Sequence, residues 1–347
     1  MIDIDGSYGE GGGQIVRTAT SLAAVTGKPC HIFNIRAGRE KPGLMRQHLF
    51  GVRALRDLSE GRLEGDEIGS KEISFFPRRV RGKDLTVEIQ TAASITMVMQ
   101  SVLPATLFAS SPVKITFRGG ATDTSNAPTF DYFRYVFVAM LQKVGIAVHP
   151  ALTQRGYYPP GGAQAEVIAT PARPRALSAT ERGAFERIVI ASSASEALRR
   201  RRVAERQADT AEAALTHHGV PIEKTIEYGP SISAGSACCI VAEFGKTLIG
   251  ADRIGARGKW AEDVGREAAS RLSNEIGTSA CLDRHMADQI LPYLALAEDD
   301  SCVSVSEITR HVQTNMWVIE KFIDGKFDVE GNTIRWSKRA KTGKGGG

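Results

Sequence analysis

The chain has 347 residues, of which 42% are hydrophobic and 24% charged, with a formal net charge of +5. That length can bury a large core in two or more domains, and the balance is that of a soluble globular protein open to an anionic partner. No apolar run approaches the roughly 20 residues that span a membrane; five cysteines (Cys30, Cys238, Cys239, Cys281, Cys302) without CxxC spacing, and no signal-peptide pattern, argue against a disulfide framework or zinc site and lead us to expect reduced thiols and a cytoplasmic location.

A strand-like Ile2-Asp3-Ile4 opens the chain. The turn Gly9-Glu10-Gly11-Gly12-Gly13-Gln14-Ile15-Val16-Arg17 follows, with four glycines in five positions. Glycine buries no side chain, so this run marks a sharp turn or a close ligand approach. A helical pattern starts at once, which puts backbone N–H groups at a helix N-terminus and favours anions. Gln14 and Arg17 share a helix face, with Glu10 beside them. An amide, a guanidinium and a carboxylate around such a turn suit a phosphate and a divalent cation; a plain strand-to-helix connection is the competing reading. The turn is neither a Walker loop nor a dinucleotide fingerprint.

Further on, residues 31–35 read as a strand, 36–43 as a loop with three cations in six residues, and 45–58 as a helix. Strand patterns at 72–76 and 85–89 precede a helix at 94–108 and a strand at 113–118 that ends in Gly119-Gly120. A helix at 130–144, a strand at 146–152, a turn cluster at 156–162 and a strand at 165–168 complete a strand–helix–strand–helix recurrence, which indicates α/β repeats. Residues 170–175 read as a linker. Beyond it lie a strand at 184–190, a helix at 197–217 carrying Arg199-Arg200-Arg201-Arg202, strands at 222–228 and 237–244, and a helix at 260–276. This segment has the size of a compact inserted domain. Helices at 285–297 and 309–322, short strands at 302–305, 327–329 and 334–336, and a basic Gly-rich tail close the chain. We expect a repeated-unit domain from residues 1–176 and 277–337, a small inserted domain at 177–276, and a flexible tail at 338–347.

With these stretches placed, the sequence resembles the RNA 3′-terminal phosphate cyclase family over nearly its whole length. The residues that carry the resemblance are the turn at 9–17; Ile35-Arg36-Ala37-Gly38-Arg39 with Lys41-Pro42-Gly43-Leu44 and Gln47-His48-Leu49; residues 91–100; Arg118-Gly119-Gly120-Ala121-Thr122-Asp123; Tyr158-Pro159-Pro160-Gly161-Gly162; Ala287-Asp288-Gln289; and Arg310-His311 with Thr314-Asn315. The resemblance implies three repeated α/β units, each like the C-terminal domain of a bacterial translation initiation factor, with a smaller α/β domain inserted in the third. It implies ATP-dependent conversion of an RNA 3′-phosphate to a 2′,3′-cyclic phosphodiester through a histidine–AMP intermediate and an RNA 3′-adenylate, releasing pyrophosphate and AMP. Its partners would be ATP and RNA with a 3′-phosphate end.

By resemblance, the nucleophile falls on His311, near the start of a predicted helix; its spacing alone does not single it out among seven histidines. Glu10 matches a carboxylate that holds Mg²⁺ or Mn²⁺, and oxygen ligation fits such a hard cation. Arg17, Arg36 and Arg39 match phosphate-contacting arginines, whose forks bind phosphate at two points. Gln14, Gln47, Gln100 and Gln289 are nucleotide-site polar residues, Pro128 is an adenine-side wall, and Asp288 lies near adenine and ribose. Two departures stand out: His285 occupies the place of an adenine-stacking aromatic, with less area to stack, and Ala93 replaces a frequent glycine.

Other features weigh less. Lys321-Phe322-Ile323-Asp324-Gly325 approximates the Lys-x-Asp-Gly motif of lysine-dependent ligases but is one residue too long. The arginine run at 199–202 reads either as an RNA-backbone contact or as a solvated helix face. Two other functions share the architecture: a non-catalytic cyclase-like factor in ribosomal RNA maturation, against which His311 argues, and an enolpyruvyl transferase, which lacks the histidine stretch.

Overall fold

The computed structural model describes residues 1–339; the remainder of the expected basic tail lies outside the described residues. The chain opens with β1 (Ile2–Asp5), α1 (Gln14–Thr26), β2 (Cys30–Phe33), α2 (Arg46–Ser59), β3 (Arg62–Glu64) and β4 (Ile73–Phe76). Then come β5 (Leu85–Ser94), α3 (Ile95–Thr106), β6 (Val113–Ala121), α4 (Phe130–Tyr132), α5 (Val138–Lys143), β7 (Val148–Gln154) and β8 (Gln164–Ala169). After β9 (Ser178–Ala179) the chain runs through β10 (Phe185–Ser195), α6 (Val203–Leu215), β11 (Ile222–Gly229), β12 (Ser236–Phe244), β13 (Leu248–Ile254) and α7 (Ala261–Gly277). It closes with α8 (Met286–Leu296), β14 (Ser301–Ser304), α9 (Arg310–Phe322), β15 (Gly325–Glu330) and β16 (Thr333–Lys338).

One plan occurs three times. The sheets β1-β2-β4-β3, β5-β6-β8-β7 and β9-β14-β16-β15 each pair their first and second strands in parallel and then add the fourth and third antiparallel, an order the β11-β10-β12-β13 sheet does not share. Each parallel pair needs a helical crossover, supplied by α1, α3 and α8, so α/β alternation is a consequence of topology. In the third sheet the crossover is interrupted: the chain leaves after Ala179 and returns at Ser301, with the β11-β10-β12-β13 sheet formed between.

That fourth sheet explains a sequence oddity. β12 reads Ser-Ala-Cys-Cys-Ile-Val-Ala-Glu-Phe and is buried almost throughout, without polar alternation. Cys238, Ile240 and Ala242 face a core shared with α6 and α7, while Cys239 and Val241 face the main core. A strand covered on both sides reads as a continuous apolar run. Contact with the main body is close: a side chain on Gly250 of β13 would meet Val136 at 2.4 Å and Tyr132 at 3.0 Å.

Several elements differ from expectation. β3, β9 and β13 have no clear sequence pattern; β13 carries Gly250 and Asp252 because Tyr132 and Val136 press on the first and Thr129 N–H bonds the second at 2.8 Å. The helix expected at 130–144 includes a π-helical stretch, Phe133–Phe137. The arginine run is not on an α-helix: Glu196–Arg201 forms a 3₁₀ turn, and Arg202 adopts φ 49° before α6 starts. A left-handed residue breaks the backbone ladder there.

Candidate active site

The glycine turn leads into α1 as the sequence suggests, and its glycines are required by what packs on them. A Cβ on Gly13 would sit 1.9 Å from His48 Nε2, and one on Gly12 would sit 2.0 Å from Gln14 Oε1 and 3.2 Å from an Arg39 nitrogen. Gly9 has φ 58°, and a Cβ there would strike Thr314 Oγ1 at 2.5 Å. The last contact joins the turn to α9, nearly 300 residues later, where Glu10 N–H donates to Thr314 Oγ1 at 3.3 Å.

α9 begins at Arg310 because Thr309 caps it, its side chain accepting from Val312 N–H at 3.1 Å. His311 therefore stands in the first turn, partly exposed. Its Nε2 lies 2.8 Å from Glu10 Oε2, and its Nδ1 lies 3.8 Å from Asp288 Oδ2. The other Glu10 oxygen accepts from Arg39, whose Nη2 also donates to the Glu10 carbonyl at 3.3 Å. Asn315 ties the three helices together: it accepts from Thr18 Oγ1 of α1 at 2.9 Å and donates to the Asp288 carbonyl of α8 at 3.2 Å.

Electrostatics follow burial. Burial holds the Asp288 carboxyl above the usual carboxylate range, although His311 and Arg17 pull it down. Burial also lowers the Arg17 guanidinium to about 10, with Asp288 opposing. Arg36 is lowered by burial and by nearby Arg39; its Nη1 donates to the Lys41 carbonyl at 2.6 Å and the Gly43 carbonyl at 3.3 Å. His48 falls well below 6.5 through burial and the charges of Arg17 and Arg36. Three guanidiniums are thus gathered about the glycine turn: Arg17 and Arg36 act on His48, and Arg39 bonds the Glu10 carboxylate that His311 also meets, which suits an anion.

At the inner end, Gln14, Arg17, Gln100, Asp288 and Gln289 line a cavity of about 30 Å³, room for about one water-sized group. Both amide atoms of Gln14 are buried without a partner, as are Gln289 Oε1, His48 Nδ1 and the Tyr293 hydroxyl. Gln14, Gln289 and Tyr293 line this cavity, so a polar group entering it would give them the partners that buried polar atoms ordinarily have.

The remaining expected residues sit around this centre. Gln47 is half-buried in the first turn of α2, next to His48. The Pro128 carbonyl accepts from Thr96 Oγ1 at 2.8 Å. His285 is exposed at the N-terminus of α8, its ring 6.4 Å from Tyr132 and edge-on to it. Lys321 points elsewhere, 5.4 Å from the Trp317 ring. Sequence reasoning gave no role to His48, Thr314 or Asn315, although all three lie within stretches that carried the resemblance. It missed Asp283, whose buried carboxylate accepts from Tyr132 Oη at 2.7 Å, Gly250 N–H at 3.0 Å, and the N–H groups of His285 and Met286 at 3.0 and 2.9 Å. A polar residue three positions before the first residue of α8, accepting from the N–H groups of its first turn, is the capping signal that would have found it.

Among the described residues no group of three or more His, Cys, Asp or Glu is placed to hold a metal ion. Glu10 offers a hard oxygen donor, which fits a cation that arrives with phosphate oxygens of its own rather than a resident ion. Among the described residues no helix is long and apolar enough to cross a membrane.

A family model described as RNA 3′-terminal phosphate cyclase matches residues 8–329. The chain is 44% identical over 336 residues to the RNA 3′-terminal phosphate cyclase of Pyrococcus furiosus, covering 95% of this chain and 96% of the relative. It is 43% identical over 333 residues to the cyclase of the same name from Saccharolobus islandicus, covering 95% and 97%, and 43% identical to that of Thermococcus kodakarensis, covering 95% of each. The chain belongs to the RNA 3′-terminal phosphate cyclase family, a family of enzymes.

Proposed function

We propose, from membership of that family, that this chain uses ATP to convert an RNA 3′-phosphate to a 2′,3′-cyclic phosphodiester through AMP carried on His311. The observation that supports this reading best is His311 held between the carboxylates of Glu10 and Asp288, with Arg39 bonded to the same Glu10 carboxylate.

Asp288 sets a carboxylate 3.8 Å from Nδ1 on one side of the ring, and Nε2 bonds the α-phosphorus of ATP as the bond to pyrophosphate breaks. Glu10 Oε2, 2.8 Å from Nε2, can accept any hydrogen that this nitrogen carries. Such a hydrogen must leave Nε2 before attack, and Glu10 is the acceptor at hand. Arg17, Arg36 and Arg39 bind phosphate oxygens and offset charge as it develops, the main requirement in phosphoryl-type transfer. Gln14, Gln47, Gln100 and Gln289 supply amide contacts to the nucleotide, and Pro128 and His285 flank adenine. Glu10 would also hold Mg²⁺ or Mn²⁺, which would neutralise phosphate charge.

An RNA 3′-phosphate oxygen next attacks the adenylate phosphorus, and the N–P bond breaks. The RNA 3′-phosphate is now joined to AMP in an anhydride, from which AMP can be expelled. The 2′-hydroxyl, held beside phosphorus by the ribose itself, bonds to it; AMP leaves and the hydroxyl proton is lost to base. In the same reading, residues 177–276 form an inserted domain, although Ser178 and Ala179 pair within the third repeated sheet, and the protein works in the cytoplasm.

Incubation with α-labelled ATP and Mg²⁺, followed by denaturation, tests the reading. The expected result is acid-labile label on the parent protein and none on His311→Ala. RNA binding without labelled protein, or undiminished label on His311→Ala, would overturn it.

A further inference from the structure

A substrate that ends in a phosphate also has a strand behind that phosphate, and the strand needs a surface. Between the second repeated unit and the fourth sheet lies a cleft of about 1150 Å³, separate from the small cavity beside Gln14. It is lined on one side by Ser125, Tyr157 and Tyr158, and on the other by Arg201, Arg257 and Trp260.

Three observations say what would fill it. Two aromatic rings face solvent there, Tyr158 at 76% exposure and Trp260 at 69%. Rings this exposed gain little from the fold and are available for stacking. Of the lining cations, Arg206 and Lys259 pair with Glu262 and Glu267, whereas Arg201 and Arg257 have no ion pair among the described residues. The one acid lining the cleft, Asp123, is buried and bonded to Arg155. Tyr157, only 4% exposed, also lines the cleft and has a hydroxyl without a hydrogen-bond partner.

One loop connects the cleft along the chain to Pro128, which the cyclase reading places beside the nucleotide. Residues 123–125 line the cleft, while the Pro128 carbonyl of the same loop is anchored to Thr96 of α3 and Thr129 N–H to Asp252 of β13. Flat aromatic faces, unpaired guanidiniums and a spare hydroxyl, joined to a phosphate-handling site, are the recognition chemistry of single-stranded nucleic acid.

We propose that this cleft holds the single-stranded RNA upstream of the 3′-phosphate, with bases stacked on Trp260 and Tyr158 and backbone phosphates on Arg201 and Arg257. The proposal rests on the cyclase reading above and gives the fourth sheet a role in substrate binding. Trp260 marks the N-terminus of α7, and Arg201 ends the 3₁₀ turn before α6, so the fourth-sheet segment provides the outer wall.

The full chain is titrated with a labelled RNA dodecamer ending in 3′-phosphate, at several salt concentrations, and its cyclisation of a dinucleotide 3′-phosphate is measured alongside. Trp260→Ala should weaken dodecamer binding about ten-fold without changing the salt dependence, and Trp260→Phe should restore most of it. The double variant Arg201→Ala, Arg257→Ala should lower the slope of log K against log salt by about 1.4, since each single-strand phosphate contact contributes roughly 0.7. Dinucleotide cyclisation should be unchanged in both. If these variants bind the dodecamer like the parent while the dinucleotide is cyclised, the cleft assignment is overturned and the cyclase reading stands. If the parent cyclises neither RNA, that reading fails and the cleft assignment with it. Tighter capture of an acidic peptide than of RNA, with RNA binding insensitive to the substitutions, assigns the cleft to a protein and also overturns the proposal.

Discussion

Two buried polar regions of this molecule differ in one respect. In the first, between the second unit and the fourth sheet, Arg155 is 1% exposed and directs both terminal nitrogens at carboxylates: Nη1 to Asp123 at 3.3 Å, Nη2 to Asp131 at 3.0 and 3.1 Å. Ser193 of β10 donates to the same Asp131 at 3.1 Å, and Arg134 reaches Glu227 of β11 at 2.8 Å. In the second, around His311, charges also meet, but Gln14, Gln289 and His48 keep buried polar atoms without partners. The first network pairs its charged groups with one another, leaving Arg155 Nε and Arg134 Nε without a hydrogen-bond partner, and holds two parts of the chain together. The second is open in a way that a ligand would complete, which is where a fold gives up local satisfaction for function.

The contrast is broken most forcefully at Arg155. Arg155→Met leaves the buried Asp123 without its cation and Asp131 with only Arg134 and Ser193, and should cost about 3–5 kcal/mol of stability. Chemical denaturation measures it, and a loss under 1 kcal/mol would show that the network does not join the regions.

Gly12→Ala should do the reverse. Its Cβ meets the movable end of Gln14, so the fold survives with little change in midpoint, while displacement of Gln14 and Arg39 slows adenylate formation by about 100-fold. An unchanged rate of label uptake would remove Gln14 from the site.

Asp288→Asn should separate stability from activity. Burial raises the Asp288 carboxyl, so the folded state binds its proton more tightly than the unfolded state does. Stability from this group is present at low pH and lost as pH rises through the raised value. The variant should therefore be more stable than the parent near neutrality, with the difference closing as pH falls. Adenylate formation should slow by roughly 10- to 100-fold, the scale of carboxylates that orient a histidine.

The smallest effect concerns His48. Its folded value lies well below 6.5, so below about that pH the unfolded chain binds the extra proton and stability falls. His48→Gln should flatten the acid side of the stability profile by up to about 1.4 kcal/mol per pH unit. Parallel profiles between pH 7 and 5 would show that His48 is not held neutral.

Much of the fold was legible along the chain. The glycine turn, the helix after it, the α/β recurrence and most strands follow from apolar periodicity and punctuation by glycine and proline. Within the site, Glu10, Gln14 and Arg17 stood out from local chemistry, whereas His311 was drawn from resemblance, because nothing in its own neighbourhood distinguishes it.

What the sequence by itself determined is local: where the chain turns, which stretches have one apolar face, and which positions allow no side chain. Only the tertiary structure decided that three sheets share one strand order, that β12 is covered on both sides, and that Gly9 lies on Thr314. It also decided that Arg202 breaks an expected helix and that Asn315 links α1 to α8. The reason is physical. Backbone propensity and periodicity act over a few residues, but the contact between Glu10 and His311 is set by how whole units pack, and no local preference encodes a neighbour 300 residues away.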